Sequence, residues 1–365
     1  MAIAKRMKAA VWAREGDYST TLIDKPIPKP APHQVLVRIK AASLCHTDNL
    51  ATTGIFGPSK EVGFPIVAGH EGVGVVIGLG QQAREEGKWA VGDRVGGLLN
   101  TGGCRHCGEC KNIITRYCSK AKMMGLKGAD GFFAEYALMD KDWIIHLPED
   151  VSDEQAAPLT CAGVTIYAAI QKAQLKKGQI LLISGLGGLG YLGAQIAQAK
   201  GYKVVGIDIN PARLEALSDL PSRLRPDLLI NAVTSTPEAV LPLINDLRDE
   251  GYDGCSGVDA AIIATDSPLA LDYVFPLLAT RSKLIITAGP PTFSIPLIPL
   301  IFRDLTIISS LNGSVQDLEE TVRFCSAQGI ESLVRVEGWD GGRGVERLMD
   351  NKGGNWQGKK GVVVF

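Results

Sequence analysis

The 365-residue sequence has almost no net charge, no long apolar run, no internal repeat and no low-complexity tract. Thirty-eight Lys and Arg stand against 39 Asp and Glu, which leaves −1 at pH 7 and an isoelectric point near 6.5. That balance offers no basic field to nucleic acid or to an anionic membrane surface. The apolar stretch 293–302 contains Pro296 and Pro299 and stops at Arg303, far short of the roughly 20 residues a spanning helix needs. The N-terminal MAIAKRMKAAVW is basic but has no apolar core of its own, so no secretion signal is expected. What is present is 45% hydrophobic and 21% charged, an ordinary globular composition in a chain long enough for two substantial cores. Eight cysteines would suit disulfides, but their spacing points to metal and to a reducing compartment, with the cytoplasm as the expected location.

The chain is organised around residues 179–208. Ile180–Ser184 reads as a short buried parallel strand, followed by Gly185, Gly187 and Gly190 as G-x-G-x-x-G. A helix then follows from the spacing of Leu189, Leu192, Ile196 and Ala199, closed by Gly201, and a second strand, 203–207, ends at Asp208. Gly185 permits the tight turn, Gly187 lets a pyrophosphate approach the backbone, and Gly190 lets the helix pack on the strand. Free N–H groups at the helix start favour phosphate. Asp208, eighteen positions after Gly190, stands where an acid accepts hydrogen bonds from the adenosine ribose. Glycine-rich turns are common in a chain with 42 glycines, so the motif alone is weak. Strand, helix and terminal acid together make it a dinucleotide site, with NAD(H) favoured because a 2′-phosphate would face a carboxylate.

Cys104, Cys107, Cys110 and Cys118 form C-x2-C-x2-C-x7-C. Four thiolates this close surround one tetrahedral zinc without help from distant chain, and a closed set of four is structural. An iron–sulfur cluster is the rival, but there the fourth cysteine follows after three residues and precedes proline; here seven intervene and Ser119 follows. His106, between the ligands, is expected to face solvent. Three further candidates are dispersed: Cys45 in SLCHTDNL, His70 in AGHEGVG and Cys161 in PLTCAGVT. A lone histidine before a glycine-rich strand is more often structural than a ligand, and a cysteine among apolar residues is usually a small hydrophobe. Spacing does not unite them.

Residues up to about 150 read as short strands between glycine-rich turns, a small barrel-like domain. From about 160 to 290 strands and helices alternate, the pattern of a doubly wound sheet. Helices are expected at about 237–249, 268–278 and 315–328, a sixth strand of the sheet at 306–310, and a last apolar strand at 361–365.

Over essentially its whole length the chain resembles the zinc-dependent medium-chain alcohol dehydrogenases. The resemblance is carried by Cys45-His46-Thr47-Asp48, Gly69-His70-Glu71-Gly72, the four-cysteine lobe, Leu159-Thr160-Cys161-Ala162-Gly163, the GLGGLG turn and Asp208. It implies a GroES-like β-barrel catalytic domain (1–157 and 296–365, with the zinc lobe at about 97–120) and a Rossmann NAD-binding domain (158–295). It implies two Zn²⁺ per chain and NAD(H), with Cys45, His70 and Cys161 holding a catalytic zinc whose fourth position is open. Thr47 would bond the substrate oxygen, Asp48 would orient His70, and Glu71 would lie close to the metal. His46, Gly188, Leu189 and Arg213 join Gly185, Gly187, Gly190 and Asp208 as cofactor-binding residues. The implied reaction is hydride transfer between an alcohol–carbonyl pair and NAD(H), in a homodimer or homotetramer with a small-molecule substrate and neither nucleic acid nor membrane as partner. Reduction of an activated C=C or C=N bond on the same scaffold is the alternative, and a non-catalytic dinucleotide-binding protein the third reading. The family's common relay histidine, five residues after the first zinc ligand, is here Leu50, and a basic residue often found after the S-x-x-G segment is here Ser314. Cys255 and Cys325 match nothing and are expected to be core thiols.

Overall fold

A computed structural model describes residues 5–111, 115–248, 254–349 and 359–365. The chain divides into two compact units, one of residues 1–161, 314–326 and 334–365 and one of residues 162–313 and 327–333. Residues 296–313, expected with the catalytic domain, cluster with the second unit, because Thr306–Ser309 hydrogen-bonds to the strand Leu278–Ile286.

The first unit is built on a seven-stranded sheet centred on Gln34–Ser43. That strand pairs antiparallel with Glu71–Leu79, Tyr136–Asp140 and Lys360–Val364. Val35, Val37, Ile39 and Ala41 are buried on one face of Gln34–Ser43, and Leu36 and Ala42 are buried on the other. Both faces are covered over most of its length, with Arg38 alone exposed, which is why the strand is less amphipathic than a half-exposed one. Trp12, Phe132, Phe133, Ile39 and Ile144 anchor the core. A segment of helix, Asp153–Pro158, packs on the strands Gln34–Ser43, Glu71–Leu79 and Lys360–Val364. It runs directly into one wide π turn, Leu159–Gly163. Pro158 explains part of that irregularity, since it has no N–H for the regular ladder.

The second unit is a six-stranded parallel sheet. In space the order is Leu228–Asn231, Lys203–Asp208, Ile180–Ser184, Val258–Ile263, Leu278–Ile286 and Thr306–Ser309. Numbered along the unit this is 3-2-1-4-5-6, the doubly wound arrangement whose ligand crevice lies at the carboxyl ends of the strands. Ile180, Leu181, Leu182 and Ile183 are fully buried, as strands covered on both faces require. The helix expected at 237–249 covers Pro237–Asn245; position 249 lies outside the described residues. The one expected at 268–278 is shorter, Leu269–Val274 with a 3₁₀ turn at Phe275–Leu277, because Leu278 already begins the next strand. No helix among the described residues is long and apolar enough to cross a membrane.

Candidate active site

Two sheet registers assemble the first constellation. Ser43 pairs with Glu71 across adjacent strands, so Cys45, two residues beyond Ser43, meets His70, one residue before Glu71. Cys161 arrives on the π turn. One donor atom from each of Cys45, His70, Glu71 and Cys161 lies within 4.8 Å of the others. His70 and Glu71 are fully buried, and both cysteines are 9% exposed.

Asp48 orders this cluster from the short helix His46–Leu50. Its Oδ1 is 2.7 Å from His70 Nδ1, and its Oδ2 accepts the Cys45 backbone N–H at 2.8 Å. A carboxylate only accepts, so Nδ1 carries a proton and Nε2 is the nitrogen a metal would take, displacing any proton there. That Nε2 is buried with no hydrogen-bond partner among the described residues, a costly arrangement unless something ligates it. Thr47 is half-buried, with its hydroxyl 3.7 Å from Cys45 Sγ. His46 is exposed and Leu50 half-buried.

The titration of the cluster reflects crowded donors. Cys45 is pushed well below the usual thiol range by the hydrogen bond from Cys161, against burial and with help from Lys360 and His70. Cys161 is pushed well up by the same shared bond and by burial. Burial opposes charge on His70, but Asp48 outweighs it and the imidazole is raised well above its ordinary value. Burial pushes Glu71 up to about 7 against the pull of Lys360. Two sulfur donors and an imidazole nitrogen with no hydrogen-bond partner fit a soft or borderline divalent metal, zinc above all.

Sequence reasoning missed Ser43 and Lys360. Lys360 heads the last strand and is buried, 2.7 Å from Glu71 Oε1 and 2.6 Å from Oε2, and Ser43 Oγ also bonds Oε2. A lysine opening an apolar strand, Lys360-Gly361-Val362-Val363-Val364, was the available signal.

The second constellation is local. Donor atoms of Cys104, Cys107, Cys110 and Cys118 also lie within 4.8 Å of one another. Each sulfur accepts from the backbone: Cys104 from Cys107, Cys107 from Cys110, Cys110 from Arg105 and Cys118 from Cys104, at 3.3–3.5 Å. Such donors favour thiolate over thiol. His106 is exposed, its Nδ1 2.6 Å from the Cys104 carbonyl. Cys325 is a core thiol, but Cys255 is exposed, because it lies in the irregular stretch ahead of the strand Val258–Ile263.

In the second unit Gly185 has φ +94°, and a Cβ there would sit 2.8 Å from the Ala264 carbonyl oxygen. A Cβ on Gly190 would collide with the Gly185 carbonyl at 2.0 Å. A Cβ on Gly187 would meet nothing within 4 Å; it would fill the open cradle in front of the helix Gly188–Ala199, where phosphate would approach. Leu189 lies in the first turn of that helix. Asp208 Oδ2 accepts from Leu186 N at 2.7 Å and Oδ1 from Asn210 N at 2.9 Å, and Arg213 lies 3.2 Å away. The acid is thus fixed at the strand end with acceptor capacity left over.

Residues 31–149 match the family described as alcohol dehydrogenase GroES-like domain, and residues 188–327 the one described as zinc-binding dehydrogenase. An alcohol dehydrogenase of Rhizobium meliloti (strain 1021) is 32% identical over 87% of this chain and 88% of its own. One of Geobacillus stearothermophilus is 31% identical over 91% and 92%. Among solved structures, acetophenone reductase of Geotrichum candidum in complex with NAD superposes with a TM-score of 0.82, covering 100% of this chain and 99% of that one at 23% identity. The chain belongs to the zinc-dependent medium-chain alcohol dehydrogenase family.

Proposed function

We propose that the protein is an NAD(H)-dependent zinc alcohol dehydrogenase that interconverts small alcohols with their aldehydes or ketones. The observation that carries this reading is the buried, unpartnered Nε2 of His70 facing the thiols of Cys45 and Cys161. These three would hold a catalytic zinc and leave one position for substrate, while Cys104, Cys107, Cys110 and Cys118 would hold a structural one. Zinc, when bound, supplies a Lewis acid that acidifies a hydroxyl or polarises a carbonyl, and NAD(H) supplies or takes the hydride.

The rest is the work of this chain. Asp48 holds the His70 proton on Nδ1, so that Nε2 stays a ligand and does not become a competing donor. The Thr47 hydroxyl both accepts and donates, and so takes the proton of a substrate oxygen or returns it. Leu50 accepts no proton, so the route beyond Thr47 depends on water or on another group. Gly187 gives a pyrophosphate room to approach, and Gly188, Leu189 and Gly190 open the helix whose free N–H groups face it. Asp208 accepts from the adenosine ribose hydroxyls, with Arg213 beside it and His46 assigned to the phosphate side. The first unit carries catalysis and the second binds the cofactor.

A homodimer or homotetramer in the cytoplasm completes the proposal. Its support is the short helix Leu297–Phe302, which exposes Leu297, Ile298, Ile301 and Phe302 beside Thr306–Ser309, an edge strand of the sheet. Apolar surface next to an open edge favours a partner.

Elemental analysis combined with kinetics tests the reading. Two zinc ions per chain are expected, with kcat/KM for NADH at least about tenfold above that for NADPH. A single zinc, retained when Cys161 is replaced, removes the catalytic metal. Equal kcat/KM with both nucleotides removes the assignment of Asp208.

A further inference from the structure

Three donors and an open position account for Cys45, His70 and Cys161, but not for the fourth member of the cluster. Glu71 is fully buried with a carboxylate oxygen within 4.8 Å of the other donor atoms. Ligation at about 2.0–2.3 Å in a tetrahedron sets donor atoms about 3.5 Å apart. A shift of little more than about 1 Å would therefore make Glu71 a ligand and close the site to substrate. The structure shows what it is doing instead. Both oxygens face the Lys360 ammonium, at 2.7 and 2.6 Å, and one also accepts from Ser43. Lys360 is itself buried, and its Nζ also reaches the carbonyl of Leu44, the residue before Cys45, at 3.3 Å. The strand register fixes it there, since Val362 pairs with Ser43 and Leu44 donates to the Gly361 carbonyl.

We propose that Lys360 is a positioning residue of the metal site, whose ammonium holds Glu71 off the fourth coordination position and so keeps that position open. The inference rests on the catalytic-metal reading above. Charge explains it. Two thiolates and the carboxylate carry three negative charges, and one divalent metal with one ammonium carries three positive. Without Lys360 the carboxylate is a buried charge lacking its counter-ion, a state that costs several kcal/mol. The metal is then the nearest cation, and Glu71 moves to it. Polar groups that merely support metal ligands behave in the opposite way, since their loss weakens metal binding by about 10–100-fold.

The holoenzyme with Co²⁺ in place of zinc reports both the fourth position and metal retention. Imidazole is the probe, because its binding at an open position changes the visible cobalt spectrum. In the wild type the spectrum shifts on titration. In K360M the imidazole Kd rises by about tenfold or more, and the metal resists a competing chelator about tenfold better, opposite in sign to the usual loss. K360M/E71Q regains wild-type imidazole binding, since the amide is a poor ligand, and K360R retains it. If K360M does not fold, K360Q, which keeps a donor toward Glu71 without its charge, carries the same expectations. Unchanged imidazole binding, weaker metal retention, or failure of E71Q to reverse the effect overturns the proposal. A wild type that takes up cobalt only in the four-cysteine lobe overturns the catalytic-metal reading, and this inference with it.

Discussion

Replacing Asp48 with asparagine tests the ordering of the metal site with almost no change of shape. Asp48 serves two buried donors, His70 Nδ1 at 2.7 Å and the Cys45 backbone N–H at 2.8 Å. An amide has one accepting oxygen and one donating nitrogen. Whichever way the new amide turns, one donor faces a donor. If the nitrogen faces His70, the clash is relieved by moving the imidazole proton to Nε2, which then has no lone pair for metal. If it faces Cys45, the start of the helix His46–Leu50 loses its bond and the sulfur loses its anchor. Leaving one buried donor unpaired costs about 1–3 kcal/mol. At about 1.4 kcal/mol per tenfold, that corresponds to roughly 5–150-fold in metal affinity, which brackets the roughly 10–100-fold found when partners of metal-binding histidines are lost. The assay is zinc per chain during titration with a competing chelator. D48N is expected to lose one zinc at a chelator concentration about 10–100-fold below wild type, while the four-cysteine zinc leaves where it did before. If D48N surrenders both ions at wild-type concentrations, the tautomer argument fails.

Cys161→Ala and Cys107→Ala should separate the two metals: the first abolishes turnover and leaves the lobe around 104–118 as protease-resistant as in the wild type, whereas the second loosens that lobe, read as new protease cleavage there. Equal protease resistance of the Cys107 variant and the wild type would contradict a structural metal. Leu50→His should raise alcohol oxidation at pH 7 and flatten its increase with pH, because an imidazole accepts the proton that leucine cannot; the gain has an upper range of about 10²–10⁴-fold where proton transfer limits the rate. Oxidation rates unchanged across pH with both zinc ions bound would make Leu50 a packing residue only.

Legibility in the sequence followed locality. The four-cysteine lobe closes within fifteen residues, so its spacing alone announced it, and the glycine turn was readable because strand, turn, helix and acid are contiguous. Cys45, His70 and Cys161 were joined only by resemblance. What unites them is the pairing of Ser43 with Glu71 and a π turn following Pro158, neither of which leaves a periodic signal. Lys360 was harder still, since its one local sign, a lysine heading an apolar strand, does not reveal the distant glutamate that pairs with it. The strand Thr306–Ser309 joins the parallel sheet through hydrogen bonds to Leu278–Ile286, and residues up to 313 cluster with that unit, a grouping set by strand pairing that leaves no local signal near 296.

The distance between donors along the chain gives the two metal sites different thermodynamic characters. Cys104 to Cys118 is a short loop that an unfolded chain closes readily, so denatured protein already competes for zinc at that site. Cys45, His70 and Cys161, with Lys360 behind Glu71, are gathered from four remote segments, and closing such loops costs entropy that only the native pairing of strands repays. A ligand that binds native and denatured chain alike stabilises neither, whereas one that binds only the native chain stabilises it by RT ln(1 + [L]/Kd). Free zinc therefore protects the fold through the dispersed site more fully, at equal native affinity, than through the compact one.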